Sequence, residues 1–275
     1  MTGVSAIPAS QPEGLTTIEP IRLPRSAIFV DAVVIARRNL IGIARTPQLL
    51  VFATIQPILF VLLFRYVFGG SIKVPGTNYV DYLIPGIIVQ TVVFGATSTA
   101  VGLSQDMSKG IIDRFRSLPM ARSAVLAGRT IADLVRNIFV VGLMIGVGTA
   151  VGFRFHNGFV PAVAAVLVAL MLGYCLSWVF ALIGLSVPDP ESAQLAGFLP
   201  IFPLVFASSV FTSITSMPGW LQAFAKVQPI TRAANTVRAL TQGGAITRDL
   251  LWTIAWSLAT VAVFAPLAVR RYRKV

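Results

Sequence analysis

The chain has 275 residues, 56% of them hydrophobic and only 12% charged, with a mean hydropathy of +0.81 and a net charge of +12. A soluble domain carries about 25% charged residues, so this much apolar surface does not fit into one water-soluble core and points to an integral membrane protein. The positive excess would suit nucleic acid in a soluble protein, but here the basic residues lie mostly between apolar runs, as topology signals do.

Residues 1–26 hold Pro8, Pro12, Pro20 and Pro24 and no apolar run, which predicts a disordered cytoplasmic tail. Residues 27–46 are amphipathic. Asp31, Arg38 and Arg45 are seven apart and share one helix face, while Phe29, Val30, Val33, Val34, Leu40 and Ile41 cover much of the rest. A helix lying along the membrane interface satisfies both faces, with anchoring as its minimal role. From 47 to 275 the chain reads as one transmembrane domain. A helix crossing about 30 Å of hydrocarbon needs about 20 apolar residues, and six windows qualify: 48–68, 80–103, 132–153, 159–186, 195–214 and 250–269. The expected fold class is therefore all-α integral membrane, with six transmembrane helices.

Lysine and arginine set the orientation. With the N-terminus inside, the inner side collects Arg22, Arg25, Arg37, Arg38 and Arg45, the loop residues Lys109, Arg114, Arg116, Arg122 and Arg129, and Arg270, Arg271, Arg273 and Lys274. The outer side keeps Arg65, Lys73, Arg154, Lys226, Arg232, Arg238 and Arg248, and Arg136 falls just within the third span. Both termini are expected in the cytoplasm. Four of the outer basic residues belong to the single segment 215–249.

The connection between the second and third spans contains G-I-I-D-R-F-R-S-L-P at 110–119. Ile111, Ile112, Phe115 and Leu118 fall on one face of a short helix, Asp113, Arg114 and Arg116 occupy others, and Pro119 ends it. Such a cytoplasmic helix is either a docking surface or a helix lying on lipid. Segment 215–249 is too polar to span and too apolar for a free loop. Trp220, Leu221, Phe224 and Val227 recur at helical spacing, and Ala233, Val237 and Leu240 do so after Pro229. Two short helices dipping into the outer leaflet fit this pattern, as does a segment resting on the membrane surface.

The span interiors give a few further signals. Gln56-Pro57 places a polar side chain and a kink within the first span, and Gln90-Thr91 places polar groups in the second. The pairs Gly142/Gly146 and Gly148/Gly152 make small-residue faces that let helices approach closely. Phe198, Phe202 and Phe206 run at i+4 spacing around Pro200 and Pro203, which suits either a route for an apolar substrate or plain packing. Cys175, the only cysteine, reads as a small buried hydrophobe.

Several chemistries find no support. No G-x-x-x-x-G-K-[ST] is present, so the chain does not cradle nucleotide phosphates in the P-loop manner. His156 is the only histidine, which removes two-histidine metal sites, and no G-x-S-x-G accompanies it. Asp81 and Asp133 are placed at span ends and the other acids in loops or tails, which disfavours an ion-coupled carrier. No catalytic residue and no metal site is assigned.

The run D-M-S-K-G-I-I-D-R-F-R-S-L-P-M-A-R-S-A-V-L-A-G-R at 106–129 resembles the cytoplasmic loop of ABC-2 type permeases, in the daunorubicin-resistance DrrB-like branch. The matching positions are Asp106, Gly110, Asp113, Arg114, Phe115, Arg116, Ser117, Leu118 and Pro119, with Arg122 just beyond. Pro218, Trp220 and Leu221, then Gln228-Pro229 and Arg238, make a second, less specific match in the outer segment. The likeness covers residues 27–275. It implies the transmembrane subunit of an ABC exporter in a bacterial plasma membrane, working as two six-helix halves with two separate P-loop ATPase subunits that hold ATP and Mg. The loop helix would then be the coupling helix, with Phe115 and Leu118 as its buried anchor and Arg114 and Arg116 setting orientation. A homodimer is preferred to a heterodimer as the completion of the pair. The cargo is a hydrophobic drug or, in the same architecture, a lipid, glycolipid or polysaccharide. An ion-coupled carrier and a non-transporting scaffold are the remaining readings.

Overall fold

In a computed structural model, residues 25–70, 77–116 and 122–274 are described. They form helices and no strand: α1 (Arg25–Arg45), α2 (Pro47–Leu62) continued by a π turn (Leu63–Val67), α3 (Tyr79–Ser108), α4 (Ile111–Arg116), α5 (Arg122–Ala150), α6 (Phe159–Gly184), α7 (Pro190–Phe206), α8 (Gly219–Val227), α9 (Pro229–Gln242) and α10 (Thr247–Lys274). Residues 1–24 of the expected disordered tail and the loop residues Ser117, Leu118 and Pro119 lie outside the described residues, while Arg25 and Ser26 already belong to α1.

Four helices among the described residues are long and apolar enough to cross a membrane: α3, α5, α6 and α10. The α2–π segment is a shorter apolar helix, and α7 has 17 residues. Six spans were expected, so two of the six windows hold shorter helices. The fifth window differs most, beginning earlier and ending earlier than the 195–214 expected. Asp189 caps α7, accepting hydrogen bonds from the Ser192 backbone N–H at 2.8 Å and its hydroxyl at 2.7 Å, and Pro190 fills the first turn. These bonds hold the Asp189 carboxyl below the usual carboxylate range. At the other end the helix stops at Phe206, after Pro200 and Pro203 have each removed an N–H from the ladder.

The freed backbone at 207–213 is satisfied by side chains from elsewhere. The Tyr82 hydroxyl meets the carbonyls of Ser209 and Thr212, both at 2.9 Å, and the Tyr79 hydroxyl donates to Phe211 O at 3.1 Å. The Gln228 amide donates to Ala207 O. Irregular backbone at depth is tolerable only when buried in protein in this way.

α3 is the central strut. Nearly every residue from Tyr79 to Val93 is buried, and α5, α6, α7 and α9 surround it. One apolar cluster follows α3 from Tyr79 to Ala100. A second gathers Ile35, Leu103, Ile112, Val125, Trp178, Leu185 and Tyr272, and so ties α1, α4 and the adjoining ends of α3, α5, α6 and α10 together. The two described chain ends and α4 therefore share one end of the bundle. Around the outside, Leu167, Leu199, Leu251, Leu258 and Val263 are exposed, as expected for a lipid-facing surface.

α1 packs on α5 through Ala32, Ile35 and Ala36, leaving Phe29, Val30, Val33 and Val34 exposed. Cys175 is buried, as its apolar setting suggested. The glycine expectation holds only in part. A Cβ at Gly148 would meet Ile84, but one at Gly142 or Gly146 would meet nothing within 4 Å among the described residues, and Gly152 lies in the turn after α5. The close approaches use other glycines, because helix contact depends on which face turns inward and not on the spacing alone.

Candidate substrate cavity and the loop helix

A cavity of about 180 Å³ opens at mid-bundle between α2, α3, α5 and α7. Gln56 and Pro57 come from α2, Gln90, Thr91, Phe94 and Ser98 from α3, Arg136, Asn137 and Val140 from α5, and Phe198 from α7. The structure thus brings together three of the five residues singled out for a substrate route: Gln56, Gln90 and Phe198. Phe198 lies 5.2 Å from Phe94, centroid to centroid. Phe202 and Phe206 lie further along α7, stacked on each other at 4.4 Å, and Phe206 continues onto Phe211 at 5.1 Å and Phe60 at 6.1 Å. Phe198 also borders a shallow apolar groove with Leu195, Leu199, Phe202 and Pro203.

The α3–α5 seam beside this cavity is polar. Asp133 is buried and accepts hydrogen bonds from Thr99 at 2.6 Å and Ser98 at 3.2 Å. Arg129 pairs with it across 3.4 Å, an ion pair without hydrogen-bond geometry, and donates instead to Ser98 O at 3.2 Å. Arg136 donates to Gly95 O and, at 3.2 Å, to Asn137 Oδ1. Two glycines make this possible: a Cβ at Gly95 would collide with Asn137, and one at Gly102 with the Arg129 guanidinium.

This arrangement corrects the placement of Asp133 at a span end. α5 begins at Arg122, so Asp133 lies well inside it, with its carboxylate committed to a guanidinium and two hydroxyls. The sequence did hold a signal, since Arg129, Asp133 and Arg136 recur at i, i+4 and i+7 within one helix and so share a face. A span boundary set at 132 separates Arg129 from its partner and hides that face.

At the α4 end, Gly110 turns the chain from α3 into α4 with φ +66, a conformation that favours glycine. Asp106 accepts a hydrogen bond from Arg38 of α1 at 2.8 Å, and the same guanidinium sits 4.9 Å from the Phe115 ring centroid. Ile112 is buried in the chain's own second cluster and Phe115 packs against it. The apolar face of α4 is therefore occupied by this chain, and the exposed side carries Arg114. Asp113, Arg116 and Arg122 are helical, with side chains outside the described set.

At the opposite end, Pro218 precedes α8, whose Trp220, Phe224 and Val227 are exposed while Leu221 is half-buried. Pro229 starts α9, which buries Ala233, Val237 and Leu240. Arg238 reaches from α9 to Tyr82 O at 3.1 Å, Ser209 O at 2.9 Å and Asn235 Oδ1 at 3.0 Å, with its guanidinium 3.6 Å from the Tyr82 ring centroid. Arg232 pairs with Asp249 of α10. These two arginines are structural clamps and not loop charges.

The sequence profile of the ABC-2 type transporter family matches residues 31–241. The chain belongs to that family. It is 35% identical over 236 residues to the daunorubicin resistance ABC transporter permease protein DrrB1 of Streptomyces coeruleorubidus, covering 86% of this chain and 83% of that one. It is 28% identical over 262 residues to the protein named "Probable doxorubicin resistance ABC transporter permease protein DrrC" of Mycobacterium tuberculosis, covering 92% of this chain and 94% of that one. The doxorubicin resistance ABC transporter permease protein DrrB of the same species is 27% identical over 203 residues, covering 72% of this chain and 70% of that one. This ABC-2 chain is thus a multi-pass membrane protein of a transport family. Its α4 with Asp106 and Gly110, the α2–α3–α5–α7 cavity and Arg238 all fall within the matched region.

Proposed function

We propose that this chain is the permease subunit of an ATP-driven exporter that moves hydrophobic or amphiphilic compounds out of the cytoplasm or inner leaflet. The observation that carries the reading is the mid-bundle cavity, where Gln56, Gln90 and Arg136 face an aromatic wall of Phe94 and Phe198. Amides, a guanidinium and rings around one small space suit a molecule with one polar and one apolar part. The relatives named for daunorubicin and doxorubicin resistance support a drug-like cargo.

In this reading the α2–π segment and α7 complete six spans in a bacterial plasma membrane, with both termini and α4 in the cytoplasm. The chain pairs with a second permease half, preferably its own copy, and with two P-loop ATPase subunits that hold ATP and Mg. α4 is the coupling helix. Its apolar side is fixed to the bundle through Ile112, Phe115 and the Arg38–Asp106 pair, so the exposed side with Arg114 meets the ATPase. α4 also joins α3 to α5, the two helices that supply most of the cavity's polar lining. A push on α4 when the ATPase pair closes reaches the cavity along both helices, a rigid-body change favoured by differential contacts in the two states.

The test is transport in inside-out vesicles holding this chain and a candidate P-loop ATPase subunit. ATP should drive uptake of an amphiphilic dye, and Phe198→Ala should reduce it. Arg114→Glu should abolish stimulation of the ATPase without lowering the amount of folded permease. Uptake indifferent to ATP sinks the exporter reading, and normal stimulation in Arg114→Glu removes the coupling role from α4.

A further inference from the structure

The wall of the mid-bundle cavity carries a positive charge that is only partly balanced. Among the described residues no carboxylate lines it, and Arg136 does. The nearest acid on the same helix face, Asp133, is already held by Thr99, Ser98 and Arg129, so two guanidinium groups share one carboxylate. A charge withdrawn from water is costly unless a partner balances it. Two polar atoms of lining residues, the Nε of Arg136 and the Oε1 of Gln90, lack protein partners, though both are shielded from the open space itself.

The dimensions add a second constraint. About 180 Å³ holds a small polar group, whereas sites for whole drug-sized ligands run from about 300 Å³ upward. Phe198 separates this cavity from the apolar groove of about 540 Å³ formed by Leu195, Ala196, Leu199, Phe202 and Pro203. A single molecule can lay its head in the first space and its tail in the second.

We propose that the cavity takes the oxyanion head of an amphiphile, a phosphate, sulfate or carboxylate paired with Arg136, whose apolar tail lies along α7. The inference rests on the exporter reading and names the class of its cargo. Arg136 supplies the charge. A cationic head meets a guanidinium and no carboxylate among the described lining residues.

The experiment uses the full chain alone in phosphatidylcholine nanodiscs, without ATPase. Binding and thermal stabilisation are measured with dodecyl phosphate, dodecanol, dodecyltrimethylammonium and inorganic phosphate. Dodecyl phosphate should bind at least about tenfold more tightly than each of the others, the scale of one desolvated charge pair or one tail. Arg136→Gln should remove the preference, and Arg136→Lys should keep it at lower affinity. Phe198→Ala should weaken all the tailed probes and preserve their order. The wild-type ranking stands even if a variant fails to fold. Equal binding of the three tailed probes, or tighter binding of the cation, overturns the proposal, and phosphate binding as well as dodecyl phosphate overturns the tail. Displacement of dodecyl phosphate by phosphatidylglycerol in the disc assigns the head to a lipid, and its absence assigns it to a soluble amphiphile. A preference that persists without ATP-driven transport in vesicles sinks the exporter reading and leaves the cavity's chemistry standing.

Discussion

On its α6 side, α3 packs backbone to backbone: a Cβ at Gly184 would fall on the Ala100 carbonyl oxygen and 2.7 Å from the Ala100 Cα, and one at Gly173 would lie 2.9 Å from the Val92 Cβ. On its α5 side the glycines of α3 do something different. Gly95 and Gly102 open notches into which Asn137, Arg136 and Arg129 extend their polar ends, with Asp133 between them. Main chain against main chain has no side-chain torsion to absorb a displacement, so the α3–α6 contact resists sliding. Long polar side chains rotate and exchange partners, so α3 and α5 can slide while their groups stay bonded. The cavity opens on that adjustable seam.

Breaking the rigid face should have the largest effect. Gly184→Leu drives a side chain into the Ala100 backbone, where nothing can rotate away, and the cost should exceed about 3 kcal/mol. Size-exclusion chromatography should show little folded protein. Asp133→Ala comes next, because it leaves the shielded Arg129 without its counter-charge, at a cost of about 3 kcal/mol; thermal unfolding in detergent should register the loss, and Asp133→Asn, which keeps a hydrogen-bond acceptor, should recover part of it. Gly102→Ala is milder, although the clash is closer, because the atom it meets is the end of a flexible side chain. Arg129 swings aside and forfeits its bond to Ser98 O, about 1.5 kcal/mol for a charged donor. A loss in Gly102→Ala as large as in Gly184→Leu would erase the distinction between the two faces.

How much of this was legible in the sequence follows from the range of the interactions. The apolar windows place the long helices because each signal lies within one segment, and helical periodicity puts Ala233, Val237 and Leu240 on one helix face, which the fold then buries. Gln56, Gln90 and Phe198 were noticed one at a time, as polar or aromatic residues in apolar runs, and the fold brings them to one cavity. In the sequence Arg136 reads only as a charge just within a span edge, because it is the packing of α5 on α3 that shows it points inward. Arg38 was likewise assigned to the polar face of an interface helix, with no local sign of its Asp106 and Phe115 partners. The early end of α7 was not legible either: the donors that satisfy residues 207–213 come from Tyr79, Tyr82 and Gln228, distant in the chain.

The finest division runs within the polar seam itself, between its two hydroxyls. Thr99 is fully buried and donates to Asp133 at 2.6 Å, whereas Ser98 is half-buried, borders the cavity and donates at 3.2 Å while also facing Gly95 O at 2.8 Å. Thr99→Val keeps the shape and strands one carboxylate lone pair where no water reaches, so it should cost about 1.5 kcal/mol, with little change in ligand affinity. Ser98→Ala removes a longer, shared bond, and about 0.5 kcal/mol is expected, within reach of a careful thermal comparison. Its effect should appear in binding, because it alters a wall of the cavity next to Arg136. The two variants thus place the boundary between holding the seam together and shaping what occupies it. If Ser98→Ala lowers stability more than Thr99→Val and leaves amphiphile binding unchanged, the hydroxyl nearer the cavity belongs to the frame and that boundary lies closer to Arg136.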